Sequence, residues 1–192
     1  MYEAISFTIP KLTGISEQNI EEHLKLYAGY VKNTNAILEA MDSGEVNDYA
    51  LAEMQRRFGF EYNGMKNHEY YFGSLESGAE AINEESALYK KIISQWGDFH
   101  TWMKRFKKIA KKRGVGWAIL YYDRDEDRLL NTWVDEQHLG HLNSAQYVIG
   151  IDMWEHAFVA DYQPSGKAQY IEDYFANVNW RHPESLFDAA QK

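Results

Sequence analysis

A carboxylate, an indole and an imidazole lie within five residues of one another in the segment GIDMWEHA, residues 150–157. Asp152 ends a hydrophobic run, and His156 follows four positions later on what reads as a turn. Carboxylate oxygens and imidazole nitrogens are common ligands of transition metals, which they bind at about 2.0–2.2 Å. The segment therefore predicts half of a buried metal site.

A third candidate ligand is His68, in the segment NHEYYF at residues 67–72. Its neighbours at helical spacing are aromatic, which is typical of a side chain on the buried face of a helix. The segment predicts a metal ligand that is carried on a core-facing helix.

Several motifs together resemble the iron/manganese superoxide dismutases. They are D-x-W-E-H-A at residues 152–157, N-H-x-x-[FY]-[FW]-x-x-L at 67–75, YVKN at 30–33, WGDF at 96–99, GW at 116–117 and NVNW at 177–180. The resemblance implies a homodimer with one manganese or iron ion per subunit, held between an all-helical half and an α/β half. It also implies the disproportionation of superoxide to dioxygen and hydrogen peroxide, through alternate reduction and oxidation of the metal.

One ligand remains to be found on the first helix. In the family it is a histidine eight residues before the tyrosine of Y-V-x-N, a position that falls here on Glu22. At about 100° per residue, Glu22 lies on the polar face of the helix, whereas His23 lies on the apolar stripe with Tyr27 and Tyr30. A buried imidazole needs a partner. We predict that His23 completes the site, with Glu22 or no first-helix ligand at all as the alternatives; the predicted ligands are His23, His68, Asp152 and His156.

The resemblance also implies a residue that hydrogen-bonds metal-bound solvent. In the family it is a glutamine or histidine at one of two positions, which carry Gly64 and Gln137 here. This combination is similar to the manganese-preferring members, so manganese is somewhat favoured over iron. His138 and His141 are close enough in sequence to fill the role of Gln137. Tyr30 would gate the substrate channel and hydrogen-bond Gln137.

Further roles follow from the family pattern. Trp117 and Trp154 would form an aromatic wall that keeps the site dry. Glu155 would cross the dimer interface to hydrogen-bond the partner's His156, so the homodimer is predicted to form through this region.

The chain departs from the family at three other positions. A cross-interface histidine and tyrosine are replaced by Leu26 and Val159, which predicts an apolar contact or the takeover of one role by Tyr27. The arginine that attracts superoxide is also missing, and Lys167 or Lys32 is predicted to replace it.

Composition limits the partners. The 192 residues carry a formal net charge of −9 with a pI near 5.3, which argues against nucleic acid as a partner. The basic run at residues 104–113 is interpreted as a solvated helix face, with a local field that attracts anions as the alternative.

Cysteine is absent, so disulfide and thiolate chemistry are excluded. With no signal-like N-terminus and no apolar run of about 18 residues, we predict no membrane contact and a cytoplasmic location.

Hydrophobic periodicity predicts an N-terminal antiparallel helical hairpin, followed by an α/β unit with three β-rich runs. The resemblance implies the same α+β fold, in which the hairpin packs on a C-terminal α/β domain with a three-stranded antiparallel sheet. The predicted domains are residues 1–80 and 81–192. Helices are expected at about 16–38, 48–75 with interruptions near Gly59 and Gly64, 87–112, and 170–180. Strands are expected at 117–122, 128–134 and 146–151.

Two other functions are considered. The first is a scaffold of this fold that has lost catalysis, but such a protein would have no reason to keep three buried polar ligands. Two histidines and a carboxylate with open positions are also the pattern of non-haem iron oxygenases.

Overall fold

The computed structural model describes all residues from Met1 to Lys192. It contains six α-helices, three strands and two short 3-10 turns. In chain order these elements are α1 (Glu17–Asp42), α2 (Asp48–Gly73), α3 (Ala87–Trp96), α4 (Phe99–Ala110), β1 (Gly116–Asp123), β2 (Arg128–Asp135), β3 (Gln146–Asp152), 3-10 turns at Glu155–Ala157 and Pro164–Gly166, α5 (Lys167–Asn177) and α6 (Arg181–Ala190). The predicted α+β fold is confirmed.

The two long helices α1 and α2 form the predicted hairpin. Each begins at a side-chain cap: Ser16 accepts a hydrogen bond from the Asn19 N–H, and Asn47 accepts one from the Ala50 N–H. Such caps satisfy N–H groups that have no partner inside the helix. The predicted interruption of α2 is wrong, since the helix runs without a break through residues 48–73. A glycine costs about 1 kcal/mol in a helix interior, and the packing of α2 against α1 offsets that cost.

The predicted single helix at 87–112 is also wrong. It is divided at Gly97, whose φ of 89° ends α3. The Asp98 side chain then accepts a hydrogen bond from the Thr101 N–H and begins α4. A left-handed glycine followed by an aspartate cap is a standard way to end one helix and start another.

The three predicted strands form one antiparallel sheet in the order β2-β1-β3, which confirms the prediction. The central strand β1 is buried over nearly its whole length. Its register pairs Trp117 with Val134 on one side and with Asp152 on the other. The sheet therefore brings the end of β3 beside Trp117 and close to the helical hairpin.

The C-terminal helices differ from the prediction. The helix expected at 170–180 begins earlier and ends at Asn177, and α6 was not predicted. The fully buried ring of Phe187 anchors α6 in the core, and α6 packs against β3. None of the helices is long and apolar enough to cross a membrane. The boundary between domains at residue 80 stays a prediction.

Candidate metal centre

Three imidazoles surround one carboxylate oxygen where the hairpin meets the sheet. His23 Nε2 lies 3.2 Å from Asp152 Oδ2, and His156 Nε2 lies 3.1 Å from the same oxygen. His68 Nε2 lies 3.5 Å from it. The four groups come from α1, α2, the last residue of β3 and the 3-10 turn after it. Distant parts of the chain thus converge on one buried point.

Local hydrogen bonds fix the direction of two of the four groups, Asp152 and His68. Oδ1 of Asp152 accepts a hydrogen bond of 2.8 Å from the Trp154 N–H, which leaves Oδ2 facing the histidines. His68 Nδ1 donates to the Gly64 carbonyl at 2.6 Å, one helical turn earlier, which leaves Nε2 facing the centre. A partner of this kind on the far nitrogen is the usual way to orient a metal-binding histidine.

The donor set fits a transition-metal ion. The four ligand atoms lie within 4.8 Å of one another, close to the about 4.4 Å that separates two atoms on opposite sides of one ion. His68 Nε2 is buried without any hydrogen-bond partner. A buried polar atom without a partner is unfavourable unless a ligand satisfies it. A metal ion at this point would satisfy it.

The protonation states also suit a metal. Burial lowers the pKa of His68 to about 3, helped by the nearby His23. Burial lowers the pKa of His23 as well, against the opposing hydrogen bond to Asp152. For Asp152 burial acts in the other direction, but the charges and hydrogen bonds of His156 and His23 hold its pKa below the usual range. Neutral imidazoles and an ionised carboxylate are the forms that bind metal ions.

A second polar network lies beside the four ligands and centres on Gln137, which is fully buried. Its Oε1 accepts a hydrogen bond from the Trp117 indole at 2.8 Å, and its Nε2 donates to the Tyr30 hydroxyl at 2.9 Å. The Gln137 carbonyl accepts from the Asn67 amide at 3.2 Å. His138 makes no comparable contact, and its Nδ1 has no partner. Of the candidates in this loop, only Gln137 points its side chain at Tyr30.

Two tryptophans enclose the centre. The ring of Trp117 meets His68 edge to face at 5.1 Å between centroids and is fully buried. Trp154 stacks on His156 at 5.8 Å, while its indole N–H donates to the Glu136 carbonyl. The two indole rings thus lie against two of the candidate ligands, His68 and His156.

Comparison with known proteins identifies the family of the chain. Residues 83–185 match the family described as iron/manganese superoxide dismutases, C-terminal domain. The chain belongs to this family. It is 32% identical to "Superoxide dismutase [Fe]" of Cupriavidus metallidurans, over 94% of this chain and 92% of that protein. It is 33% identical to "Superoxide dismutase [Fe]" of Aquifex pyrophilus and 30% identical to "Superoxide dismutase [Mn] 2" of Haloferax volcanii. These two matches cover 94% and 92% of this chain, and 88% of each relative.

The structure separates the two candidates for the first-helix ligand, His23 and Glu22. His23 is fully buried beside Asp152, whereas Glu22 is exposed and forms an ion pair with Lys25 at 2.6 Å. A separation of seven residues in an uninterrupted α-helix gives about 700°, so His23 and Tyr30 lie within about 20° of one face. A separation of eight residues would place Glu22 about 80° from Tyr30. The regular geometry of α1 brings His23 inward and keeps Glu22 in solvent.

The proposed substitutes for missing family residues have other partners. The Tyr27 hydroxyl donates to Glu69 and accepts from the backbone N–H of Ile5. Lys167 donates to the carbonyl of Lys112 at 2.8 Å. The Tyr27 hydroxyl thus links α1 to the N-terminal segment and to α2, and the Lys167 amine links the start of α5 to the segment after α4.

Four other side chains named from the sequence lie at the surface. Leu26 is 43% exposed and Val159 is 40% exposed, while Glu155 and Lys32 are also solvent-accessible. The 3-10 turn that carries Glu155 packs against α1.

Two residues near the site were missed from the sequence. Asn67 immediately precedes His68 in its motif, and that position was the available signal. Arg57 places its guanidinium 3.5 Å above the ring of Phe60, which packs in turn against Tyr30. The spacing of three between Arg57 and Phe60 on one helix could have suggested this contact. Arg57 is therefore a cation beside the Tyr30 side of the site.

Gly64 is required by the close approach of Tyr30. A Cβ atom at this position would lie 2.5 Å from Tyr30 Cδ1, which is much closer than van der Waals contact. Gly64→Ala is expected to destabilise the protein by about 1–3 kcal/mol, as overpacking of cores does. The measurement is urea unfolding of the metal-free protein.

A matched control is available on the neighbouring helix. A Cβ atom at Gly29 of α1 would meet nothing within 4 Å, so Gly29→Ala is expected to stabilise by about 0.5–1 kcal/mol through helix propensity. Equal effects at the two glycines would show that the Tyr30 contact does not matter.

Proposed function

We propose that this protein is a superoxide dismutase with one manganese or iron ion held by His23, His68, Asp152 and His156. The observation that carries the proposal is the joint placement of this ligand cluster and the Gln137 and Tyr30 pair. The ligands alone would suit several metalloenzymes. A buried glutamine that links Tyr30 to Trp117 beside them fits a closed site for a very small substrate.

The bound metal would supply one-electron exchange with superoxide. The residues of the chain bind and orient around it. Gln137 donates to the Tyr30 oxygen, so the Tyr30 hydroxyl proton is free to point to another acceptor. Burial, together with the charge of Asp152, raises the pKa of Tyr30, which keeps the phenol protonated at neutral pH. Tyr30 is thus able to donate a hydrogen bond or a proton to an anion that enters the site.

Manganese remains the somewhat favoured metal. Relatives of this chain are named as iron enzymes and as manganese enzymes. The space next to Gly64 is filled by the Tyr30 ring, so a glutamine could not take that position without displacing it. The amide that contacts Tyr30 in this chain belongs to Gln137, and Gly64 together with Gln137 is the combination that suggested manganese. The reduction potential of a bound metal depends on small changes in hydrogen bonds around it, such as those of Gln137.

Superoxide is an anion, and the chain is strongly acidic. We propose Arg57 as the cation that attracts it, because Arg57 lies over Phe60 beside Tyr30. Its Nε–H donates to Glu61 at 3.1 Å, but the side chain is 49% exposed, so the rest of the guanidinium is open to an approaching anion. A local cation can raise the encounter rate of an anion even on an acidic protein.

The direct test uses protein loaded separately with manganese and with iron. Metal content is measured first, and superoxide consumption is then followed by pulse radiolysis. About one ion per subunit with rapid consumption is the expected result. Full metal occupancy without consumption would contradict the proposal and favour another metalloenzyme. Failure to take up either metal would favour a scaffold that has lost catalysis.

We also propose that two subunits pair through the surface around Glu155, where Glu155 reaches the partner's His156. Leu26 and Val159 provide exposed apolar area for this contact. Leu26→Glu is therefore expected to produce a monomer in sedimentation velocity at micromolar concentration, because charge on an apolar interface is unfavourable. Tyr49→Glu, at an exposed residue near the start of α2, serves as the control and should leave the oligomeric state unchanged. A Leu26→Glu protein that sediments like the wild type would contradict this interface.

A further inference from the structure

The backbone of Gln137 is held by a side chain that has no role in the proposed reaction. His141 Nε2 lies 2.9 Å from the Gln137 carbonyl. On its other side, His141 Nδ1 contacts the Tyr121 hydroxyl. The imidazole therefore lies between the central strand β1 and the loop that carries Gln137.

The chemistry of the two contacts assigns the proton. A carbonyl can only accept, so Nε2 of His141 must carry the hydrogen. Nδ1 is then free to accept the proton of the Tyr121 hydroxyl. Burial lowers the pKa of His141, with a further contribution from His138, which favours this neutral form. The ring thus donates to the loop and accepts from the sheet.

The loop itself needs such support. Glu136 has a φ of 52° and Gly140 has a φ of 103°, both in the left-handed region. Asp135 and Leu139 exchange both backbone hydrogen bonds, at 2.8 and 3.1 Å, which closes the turn around Gln137. A non-glycine residue in this region carries strain that its surroundings must offset. The contact from His141 is one of two side-chain donors on the Gln137 carbonyl, with Asn67 as the other.

We infer that His141 is a positioning residue: its Nε2–H holds the Gln137 backbone so that the side-chain amide lies between Trp117 and Tyr30. The catalytic consequence rests on the proposed dismutase function, because only then does the place of the Gln137 amide set the properties of the metal centre. The structural part of the inference stands without a metal.

Three variants separate the two contacts of the His141 ring. His141→Gln keeps a donor at the ε position and loses the acceptor at the δ position. His141→Asn keeps an acceptor at the δ position and loses the ε donor. Tyr121→Phe removes only the hydroxyl on the sheet side.

The first readout uses the metal-free, ¹⁵N-tryptophan-labelled protein. The Trp117 indole N–H is assigned by its absence in Trp117→Phe, and its exchange with deuterated solvent is followed by NMR. His141→Asn is expected to exchange about fivefold faster, the effect of losing one ordinary hydrogen bond. His141→Gln and Tyr121→Phe are expected to retain the wild-type rate.

The second readout is the reduction midpoint potential of the manganese-loaded protein. It should shift in His141→Asn and stay at the wild-type value in His141→Gln. The inference is overturned if His141→Asn matches the wild type in both readouts, or if His141→Gln changes them equally. A wild-type protein without metal or dismutase activity would overturn the proposed function alone, because the indole measurement would still test His141.

Discussion

His23→Ala is expected to lower metal affinity by more than about 100-fold, since even loss of a residue that only orients a ligand costs about 10–100-fold. His23 Nε2 lies 3.2 Å from Asp152 Oδ2 and faces the centre with no side-chain exposure. Alanine leaves a gap where one ligand stood. The measurement is the bound manganese or iron per subunit after gel filtration, with superoxide consumption as a second readout.

The neighbouring residue provides the control. Glu22→Ala removes an exposed carboxylate that pairs with Lys25, so its metal content should equal that of the wild type. His23→Gln keeps most of the volume and guards against a variant that merely fails to fold. Retention of metal by both His23 variants, with loss in Glu22→Ala, would reverse the assignment.

Metal removal is expected to lower the melting temperature by about 10 °C. A ligand present at 1,000 times its dissociation constant stabilises the folded state by about 4 kcal/mol, and a chain of this size loses about 2–4 °C per kcal/mol. The effect requires that the unfolded chain binds the metal poorly. Three of the four ligand segments, around His23, His68 and Asp152, are far apart in sequence, so the unfolded chain holds no preformed site.

Asp152→Asn tests the same point with almost no change in volume. It removes the negative charge that faces all three histidines, so its melting temperature should be the same with manganese and after chelation. Calorimetry of both proteins in both conditions decides the matter. A metal-independent melting temperature in the wild type would contradict the predicted coupling of binding and folding.

The position of His23 followed from helix geometry because α1 is long and regular. Neighbouring residues lie about 100° apart around the helix axis, and this rotation places His23 on the buried face of α1 and Glu22 in solvent. The strands were equally predictable from the sequence, since short apolar runs bounded by polar links indicate strands directly. Asp152 was predictable as a strand-end residue for the same reason.

Other features of the structure depend on contacts between distant segments, which cannot be predicted from the sequence of one segment. The need for glycine at position 64 of α2 comes from the Tyr30 ring, which belongs to another helix. The environment of Gln137 depends on donors from α2, β1 and its own loop, namely Asn67, Trp117 and His141. The break at Gly97 had a local signal, a glycine followed by a capping aspartate, which the amphipathic pattern on either side outweighed.

The contact between His23 and Asp152 joins residues separated by 129 positions in the chain. Contacts of such long range form late in folding, since a long loop must close before they can contribute. The candidate site is therefore incomplete while the first helix is emerging, and its four groups are present together only after His156 has been made. A metal ion held by all four groups would bind the assembled fold and not a single segment of it.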